Sequence, residues 1–281
     1  MSAFGINLRP ASELSSGEPG LYLDVPFGEY LKYDAVSNST LKRIEQAAGQ
    51  VIWAKEAPID EEAKSAAELG TLVHCLALEP EEFNSRYLVM PELNLRTNAD
   101  KARLADFEAQ AEATGLIALN QDDLRKARLM VGSLLAYPDI KMQLKSKNGY
   151  SEATVIWVDQ ETGLKCKARV DRLTITPEGD AMALDLKTIS DMKRLKWDIR
   201  DFGYAQQDIH YSEGLMAIGF PNVWFRFAFV SSGLSLKRYP VKYGCLRDNL
   251  RREAYEIQRA RLEKYLSCLE LDEFFEEELL G

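Results

Sequence analysis

Cysteine and histidine are scarce in this sequence, and neither is spaced as a set of metal ligands. The chain has four cysteines and two histidines among 281 residues. The cysteines lie far apart without a CxxC pair, which argues against a zinc site and against a disulfide framework. Each occupies an apolar segment, where we expect a reduced and buried thiol. The four are Cys75, Cys166, Cys245 and Cys268.

Long apolar runs are also missing. The longest uncharged runs fall well short of the roughly 18–20 residues that span a bilayer, and the first residues do not follow the basic-then-apolar order of a signal peptide. We therefore expect a soluble, cytoplasmic protein without a membrane partner. With 46% hydrophobic residues and only 17 Gly and 10 Pro, the chain has enough apolar surface to bury the core of an enzyme.

Basic residues are not in excess, since the formal charge is −9. Taken alone, this charge argues against nucleic acid as a partner, because phosphates bind to positive potential. The distribution of the charge removes that objection. Residues 265–281 contain six acids and no Lys or Arg, whereas residues 165–200 contain nine basic residues and six acids. A nucleic-acid partner is therefore not excluded.

The first half of the chain predicts helices after an irregular start. Residues 1–36 are punctuated by Gly and Pro, which indicates a lead-in with one short strand at 21–25. Residues 37–149 then place apolar residues at three- and four-residue spacing, which is typical of helices, and residues 37–39 supply N-caps. The predicted helices of this segment are 40–55, 61–78, 99–114 and 121–136.

Residues 150–245 change to β-branched and alternating patterns, and their first two runs flank a turn as in a hairpin. The third run is apolar throughout, which indicates a strand buried on both faces. Residues 246–281 predict a C-terminal helix and an acidic tail, so we expect a single α/β domain over 1–281. The predicted strands are 153–158, 164–175, 181–187, 223–230 and 235–241, and the predicted helices of this half are 191–218 and 245–268.

An acidic residue two positions before a lysine occurs at least four times, and one occurrence lies in a predicted buried strand. Asp185 and Lys187 share one face of that strand, because side chains alternate with period two. Two charges there are costly unless they open into a cleft or pair with each other. A site and a structural salt bridge are the two interpretations. The other pairs, in helical or boundary segments where solvated charges are ordinary, are Glu62/Lys64, Asp139/Lys141 and Asp191/Lys193.

Asp171 strengthens the interpretation as a site. It lies in the preceding strand, and the short turn at 177–180 returns the chain so that Asp171 and Asp185 come close together. Two neighbouring carboxylates repel unless a cation lies between them. Oxygen ligands of this kind suit Mg²⁺, with Mn²⁺ able to substitute, and Lys187 beside such a cation would act on a water and on phosphate charge. Together these residues suggest phosphodiester hydrolysis.

Two helical segments also fit this site, although each has a simpler interpretation. Gly70 and His74 share one helix face, but a single His on a helix is more often a packing residue. Gln207 and Tyr211 likewise share a face, which an amphipathic helix against the core would explain equally well.

In order along the chain, these motifs resemble the PD-(D/E)XK nuclease superfamily. More narrowly, they resemble the nuclease domain of exonuclease VIII, the RecE-type phage recombination exonucleases. The likeness covers about residues 35–245 and includes the stretches LGTLVHCLALEPEEF, RTNADK, WxDxETG and QDIHYSEG. It implies an α/β, restriction-endonuclease-like fold with a mixed central sheet flanked by helices and a helical N-terminal portion. The motifs are GTLVH at 70–74, Ser151-Glu152, Val170-Asp171-Arg172, Asp185-Leu186-Lys187-Thr188 and Gln207-xxx-Tyr211.

The resemblance implies a metal centre. Asp171 and Asp185 would ligate Mg²⁺, together with the Leu186 carbonyl, and His74 would add a further ligand. One position departs from the superfamily pattern, because Val170 stands where the name implies a proline.

The resemblance also implies the other catalytic roles. Lys187 would serve the nucleophilic water, and Glu152 would bind metal or water at the rim of the site. Gln207 and Tyr211 would contact DNA or order the site.

The substrate's end needs a phosphate contact, which a helix N-terminus with small hydroxyls and nearby cations can supply. Ser37, Ser39, Lys42 and Arg43 form such a helix end. Arg96 in the loop 91–98 would add a second charge-assisted contact.

The function implied by the resemblance is a Mg²⁺-dependent exonuclease that degrades linear double-stranded DNA 5′ to 3′. It would leave 3′ tails for a single-strand annealing protein of the RecT type, in a bacterial cell and encoded by a phage or prophage. The resemblance also implies a homo-oligomeric ring, a trimer or tetramer. We expect the basic segments 165–172 and 193–200 to face its channel, and the acidic end 269–280 to be a docking strip or a solvated helix.

Two other functions use the same residues. A RecB-like or Cas4-like nuclease of repair or CRISPR adaptation shares the core, but commonly carries an iron–sulfur cysteine set or a fused helicase. A catalytically inactive DNA-end-binding module is the alternative from another class, and the intact Asp171, Asp185 and Lys187 argue against it.

Overall fold

The computed structural model describes residues 2–3, 5–56, 64–94, 96–271 and 274. The strands are β1 (Ser2–Ala3), β2 (Ile6–Pro10), β3 (Gly20–Leu23), β4 (Tyr87–Val89), β5 (Ile117–Leu119), β6 (Gly149–Val158), β7 (Lys165–Ile175), β8 (Ala181–Ile189), β9 (Val223–Ser231) and β10 (Val241–Gly244). The helices are α1 (Phe27–Lys32), α2 (Asn38–Gln46), α3 (Gly49–Glu56), α4 (Lys64–Leu78), α5 (Phe83–Arg86), α6 (Asn98–Thr114), α7 (Gln121–Leu135), α8 (Pro138–Lys145), α9 (Leu195–Asp201), α10 (Tyr204–Ala217) and α11 (Asp248–Leu271).

Eight of the strands form one mixed sheet in the order β1-β2-β3-β6-β7-β8-β9-β10. Neighbours in this sheet are antiparallel except for β2 with β3 and β8 with β9, which are parallel. The chain between β8 and β9 forms α9 and α10, as a parallel connection requires. The predicted mixed sheet flanked by helices is confirmed. Among the described residues, no helix has the length and apolar character needed to cross a bilayer.

Strand β8 is buried on both faces, as its apolar sequence predicts. Ala181 and Ala183 belong to a core cluster that α2, α10 and α11 complete. Leu184 and Leu186 point to the opposite cluster, which α4, α7 and α8 complete. The sheet is therefore a middle layer, and any charge on β8 must be neutralised locally.

Two predicted helices are interrupted. The helix predicted at 40–55 is divided into α2 and α3, because Ala47 adopts an extended backbone with φ −165° and ψ 132°. The helical stretch predicted at 191–218 is divided between α9 and α10 by Gly203, whose φ of 67° is left-handed. A left-handed residue cannot continue a helix, so α10 starts afresh at Tyr204.

The strand predicted at 235–241 is wrong. Leu236 and Lys237 both have left-handed φ, 50° and 62°, and the bridge between Ser235 and Arg238 closes a tight turn there. Strand β10 begins only at Val241. The expected burial of Cys245 is also wrong, since this thiol is exposed after the short β10, while the other three cysteines are buried.

The start of the chain carries more structure than its composition suggests. Strands β1, β2 and β3 lie where one short strand is predicted, and β3 pairs with β6. Val36 bridges to Cys166 of β7. The lead-in is therefore part of the sheet rather than an appendage to it.

Helix α10 approaches β6 so closely that only glycine fits at one position. A Cβ at Gly214 would lie 2.7 Å from the Trp157 ring. We expect Gly214→Ala to lower the free energy of unfolding by about 1–3 kcal/mol, because the ring or the helix must move. Gly132→Ala in α7, where a Cβ meets nothing within 4 Å, should be neutral or stabilising by up to about 1 kcal/mol. Urea unfolding of both variants measures the contrast, and equal losses would contradict the packing.

Candidate active site

The pairing of β7 with β8 brings two acidic residues together. Arg172 is registered with Leu184, so Asp171 and Asp185 are the next residues on each strand. The Leu186 N–H donates to Asp171 Oδ2 at 2.7 Å. Asp185 is only 1% exposed. The sequence-based expectation that these carboxylates approach one another is thus fulfilled by the register.

Asp185 is held from two sides. Lys187 Nζ lies 2.8 Å from Asp185 Oδ2, and Gln207 Nε2 donates to Asp185 Oδ1 at 2.5 Å. Lys187 also lies 5.3 Å from the centre of the Tyr204 ring. Burial lowers the pKa of Lys187, but Asp185 and Asp171 outweigh it, so that the pKa is raised overall. Lys187 is therefore a cation that contacts Asp185 and faces the carboxylate pair.

His74 is in the site rather than in the packing of α4. Its Nε2 hydrogen-bonds the Leu186 carbonyl at 2.6 Å, and its Nδ1 lies 3.8 Å from Asp171 Oδ2. Helix α4 packs on β8, which carries His74 to the place where Asp171 and Leu186 meet. These contacts place His74 at the candidate site, and its role as a metal ligand stays a prediction.

Glu152 reaches the site through an unusual backbone. Its φ of 51° is left-handed, and it lies between the registered pairs Ser151 with Arg172 and Ala153 with Val170. The alternation of β6 breaks at this residue, since Tyr150 and Ala153, three positions apart, both pack on the same core cluster. A left-handed glutamate is uncommon and costs free energy, and here it turns the carboxylate toward Asp171.

The donor set suits a divalent cation. Ligand atoms of His74, Glu152 and Asp171 all lie within 4.8 Å of one another. Burial, and then the charge of Asp185, raise the pKa of Asp171 to about 7 against the opposing effect of His74 and Lys187. A nearby cation would stabilise the ionised form of this carboxylate. Carboxylate oxygens with one imidazole nitrogen form a ligand set that binds Mg²⁺ or Mn²⁺.

An open cleft of about 1,040 Å³ lies over these residues. Its walls come from α1 and the residues before it, from α4, and from β6 and β7. Tyr211 of α10 lines it as well, and burial raises the pKa of this phenol well above its ordinary value. Among the residues that line it are Ser39, His74, Glu152, Arg169, Asp171 and Tyr211.

Comparison with known proteins identifies the family. The family described as "PDDEXK-like domain of unknown function (DUF3799)" matches residues 37–270. The chain belongs to this family. The crystal structure of a "Putative exonuclease" from Eubacterium rectale is similar over 90% of this chain and 94% of that chain, with a TM-score of 0.55 and 14% sequence identity. At this identity the likeness shows the fold.

Other comparisons add nothing to this assignment. The structure of SSO0001 covers 59% of this chain and 70% of that chain at 14% identity, with a TM-score of 0.27 that supports no comparison of folds. No curated protein matches the chain. The resemblance seen in the sequence is thus confirmed as PDDEXK-like, and its narrower RecE-type assignment stays a prediction.

The structure gathers eight of the predicted site residues of this PDDEXK-like domain around one carboxylate pair. They are His74, Glu152, Asp171, Asp185, Leu186, Lys187, Gln207 and Tyr211. The predicted DNA contacts are more scattered. Ser37 caps α2, with its hydroxyl accepting from the Thr40 N–H at 3.2 Å, and Ser39 is exposed in the cleft.

The three predicted basic DNA contacts differ in position. Lys42 donates to the Asp201 carbonyl at 3.4 Å and lies over the Phe202 ring, while Arg43 is exposed on α2. Arg96 is exposed before α6, and within the described residues it does not line the cleft. The structure thus brings Ser39, but not Arg96, to the carboxylate pair.

Arg169 is a site residue that the sequence analysis missed. Its Nε donates to Glu152 Oε2 at 2.6 Å and its Nη1 to the Val25 carbonyl at 2.7 Å. The guanidinium also lies 5.7 Å from the Phe27 ring centre and 5.8 Å from that of Tyr30. A signal was available, because Lys167, Arg169 and Asp171 form a period-two row of charges in a buried strand.

Two basic residues of 165–172 do not face a channel, contrary to prediction. Lys167 is 6% exposed and donates to the Tyr30 and Tyr33 carbonyls at 2.8 and 2.6 Å. Arg172 is 9% exposed and donates to the Ser146 carbonyl at 2.7 Å. Both cations satisfy backbone carbonyls next to the sheet, which leaves neither free for phosphates.

Arg169 is expected to hold Glu152 in place. Arg169→Met leaves a carboxylate that is 18% exposed without its cation, and should lower the free energy of unfolding by about 1–3 kcal/mol in EDTA. Millimolar Mg²⁺ should recover part of the loss, because a second cation then faces Glu152. Urea unfolding with and without Mg²⁺ measures both effects.

The control for this variant is Arg125→Met. Arg125 pairs with Asp122 on the surface, with side chains 73% and 88% exposed, and its loss should change the free energy by less than about 0.5 kcal/mol. If both variants lost the same stability, or if Mg²⁺ recovered neither, Arg169 would have no role at the site.

Proposed function

We propose that this PDDEXK-like domain is a divalent-metal-dependent exonuclease. It hydrolyses linear double-stranded DNA from 5′ to 3′ and leaves 3′ single-stranded tails for an annealing protein. The observation that carries the proposal is a cluster that reaches the cleft through His74 and Asp171: two close carboxylates, Asp171 and Asp185, with Lys187 bound to one and His74 beside the other. Paired carboxylates with a lysine are suited to phosphodiester hydrolysis.

His74, Glu152 and Asp171 would hold the cation, since their ligand atoms already lie close together. The Leu186 carbonyl, which His74 hydrogen-bonds, would join them once His74 turns to the metal. Asp185, now engaged by Lys187 and Gln207, would complete the set. When bound, the cation would polarise the scissile phosphate and make the attacking water more acidic.

Residues of the chain would supply the other parts of the mechanism. Lys187 donates hydrogen bonds to the attacking water and offsets charge that develops on the phosphate as the water oxygen bonds to phosphorus. Gln207 keeps Asp185 oriented, and the partly buried, protonated Tyr211 donates from the cleft wall. The bond to the leaving oxygen then breaks, and that oxygen takes up, through solvent, the proton that the attacking water loses. Ser39 and Lys42 at the start of α2 would hold the terminal phosphate.

The test uses one linear duplex labelled separately at each 5′ and 3′ end, digested with Mg²⁺ or with EDTA. The proposal predicts early release of the 5′ label, late release of the 3′ label, and no release in EDTA or from the same duplex closed into a circle. Early release of the 3′ label would contradict the polarity. Cleavage of the closed circle would contradict the requirement for an end.

We also propose a closed homo-oligomer. A ring around the duplex would keep a chain of net charge −9 on DNA through many steps without many phosphate contacts. Light scattering should give a mass of three or four subunits. A monomer that digests long duplexes processively would contradict the ring. The acidic end 269–280, predicted to be a docking strip or a solvated helix, lies mostly outside the described residues.

A further inference from the structure

An aromatic and basic surface continues from the cleft onto α9. Trp197 is 51% exposed and Phe202 is 54% exposed, although large aromatic side chains are ordinarily buried. The Arg200 guanidinium lies 5.1 Å from the centre of the Trp197 ring, and Lys42 Nζ lies 5.7 Å from that of Phe202. We call Lys42, Lys196, Trp197, Arg200 and Phe202 the α9 platform.

The α9 platform is joined to the candidate active site. The Phe202 ring stacks on that of Tyr204, with centres 5.8 Å apart, and Tyr204 lies beside Lys187. On its other side, Lys42 follows Ser39 by one turn of α2, and Ser39 lines the cleft. Lys42 also donates to the carbonyl of Asp201, which lies between Arg200 and Phe202 in the chain, so α2 contacts the end of α9.

The charge of this surface is available to a ligand. Two acidic residues of this surface form ion pairs with neighbouring arginines. Asp201 pairs with Arg200 at 3.2 Å, and the buried Asp198 lies 3.8 Å from Arg194. Lys42, Lys193 and Lys196 make no ion pair with any described residue, and Lys193 and Lys196 are exposed. The surface thus offers two exposed aromatic faces, Phe202 beside the unpaired Lys42 and Trp197 beside Arg200.

We propose that the α9 platform binds an unpaired DNA strand, with bases stacked on Phe202 and Trp197 and phosphates beside the lysines. Exposed aromatics interleaved with cations are the pattern that single strands recognise, whereas bases within a duplex present no free face. A protein partner fits less well, because lysine is depleted in the cores of protein interfaces. The inference rests on the proposed function and deepens it, since it assigns a path to one strand of the substrate.

The test measures the affinity of the full chain for a fluorescein-labelled oligothymidylate in EDTA, where no hydrolysis is expected. Trp197→Ala and Phe202→Ala should each weaken binding about tenfold. Lys196→Gln should lower the slope of log affinity against log salt by about 0.7. Trp224→Ala is the matched control, because Trp224 is 49% exposed at the start of β9, and it should change the affinity less than twofold.

Unchanged affinity in both aromatic variants, or an equal loss in Trp224→Ala, would overturn the α9 platform. A change in mass by light scattering with unchanged affinity would assign the surface to contacts between copies and would also overturn it. The outcome is separable from that of the proposed function. A wild type that does not cleave the end-labelled duplex, but loses oligothymidylate binding in these variants, would refute the exonuclease and leave the platform standing.

Discussion

Lys187→Ala is expected to reduce nucleotide release from linear duplex DNA at least about 100-fold while leaving the protein folded and able to bind DNA. The reason is the position of the ammonium, 2.8 Å from Asp185, where it acts on the attacking water and the transition state more than on bound substrate. Initial rates at saturating duplex and Mg²⁺, with DNA affinity measured in EDTA, separate the two effects.

Lys141→Ala is the matched control for this variant. Lys141 also follows an aspartate by two residues, Asp139, but it is exposed on α8. Its rate should stay within about twofold of the wild type. A near-normal rate in Lys187→Ala, or a loss of DNA affinity that accounts for the whole drop in rate, would remove Lys187 from the chemistry.

Asp171→Asn is expected to stabilise the metal-free protein and to abolish its metal binding. The pKa of Asp171 is raised to about 7, so the folded state binds this proton more tightly than the unfolded state does. The stability that the protonated carboxyl contributes is present at low pH, falls as the pH rises from about 4 to 7, and is absent above that. An asparagine stays neutral and avoids this loss.

Thermal melting in EDTA measures the effect. At pH 8 the variant should be more stable than the wild type by about 2 kcal/mol, or about 5 °C, and at pH 4 the difference should nearly vanish. Calorimetric titration should show Mg²⁺ affinity at least tenfold weaker. Asp122→Asn, at a carboxylate that is 88% exposed, should alter neither quantity. Unchanged Mg²⁺ affinity in Asp171→Asn would contradict the metal centre.

The candidate site could be predicted from the sequence because its residues lie in regular elements. The short turns after β6 and β7 indicated that the three strands are neighbours, and the second turn brought Asp171 opposite Asp185. The positions of His74 and Gln207 could not be predicted from periodicity or composition. Neither of these places α4 and α10 on opposite sides of β8. The family motifs supplied that information, and the hydrogen bonds to Leu186 and Asp185 agree with it.

Some features could not be predicted from the sequence, because they depend on the backbone conformation of single residues or on contacts between residues far apart in the chain. The left-handed φ of Glu152 breaks the alternation of β6, and that of Gly203 ends α9, yet neither leaves a periodic signal. Strands β1, β2 and β3 are short and take their stability from pairing with one another and with β6. The period-two row of charges in β7 marks Arg169 in the sequence, but its partner Glu152 is known only from the structure.

The most direct test of the central claim is the release of acid-soluble nucleotides from a linear duplex by the wild type and by Asp185→Asn, each with Mg²⁺ and with EDTA. The account predicts release by the wild type with Mg²⁺ alone, and none above background in the other three reactions. A folded wild type that releases nothing with Mg²⁺ or Mn²⁺ would contradict the account, and so would equal release by Asp185→Asn.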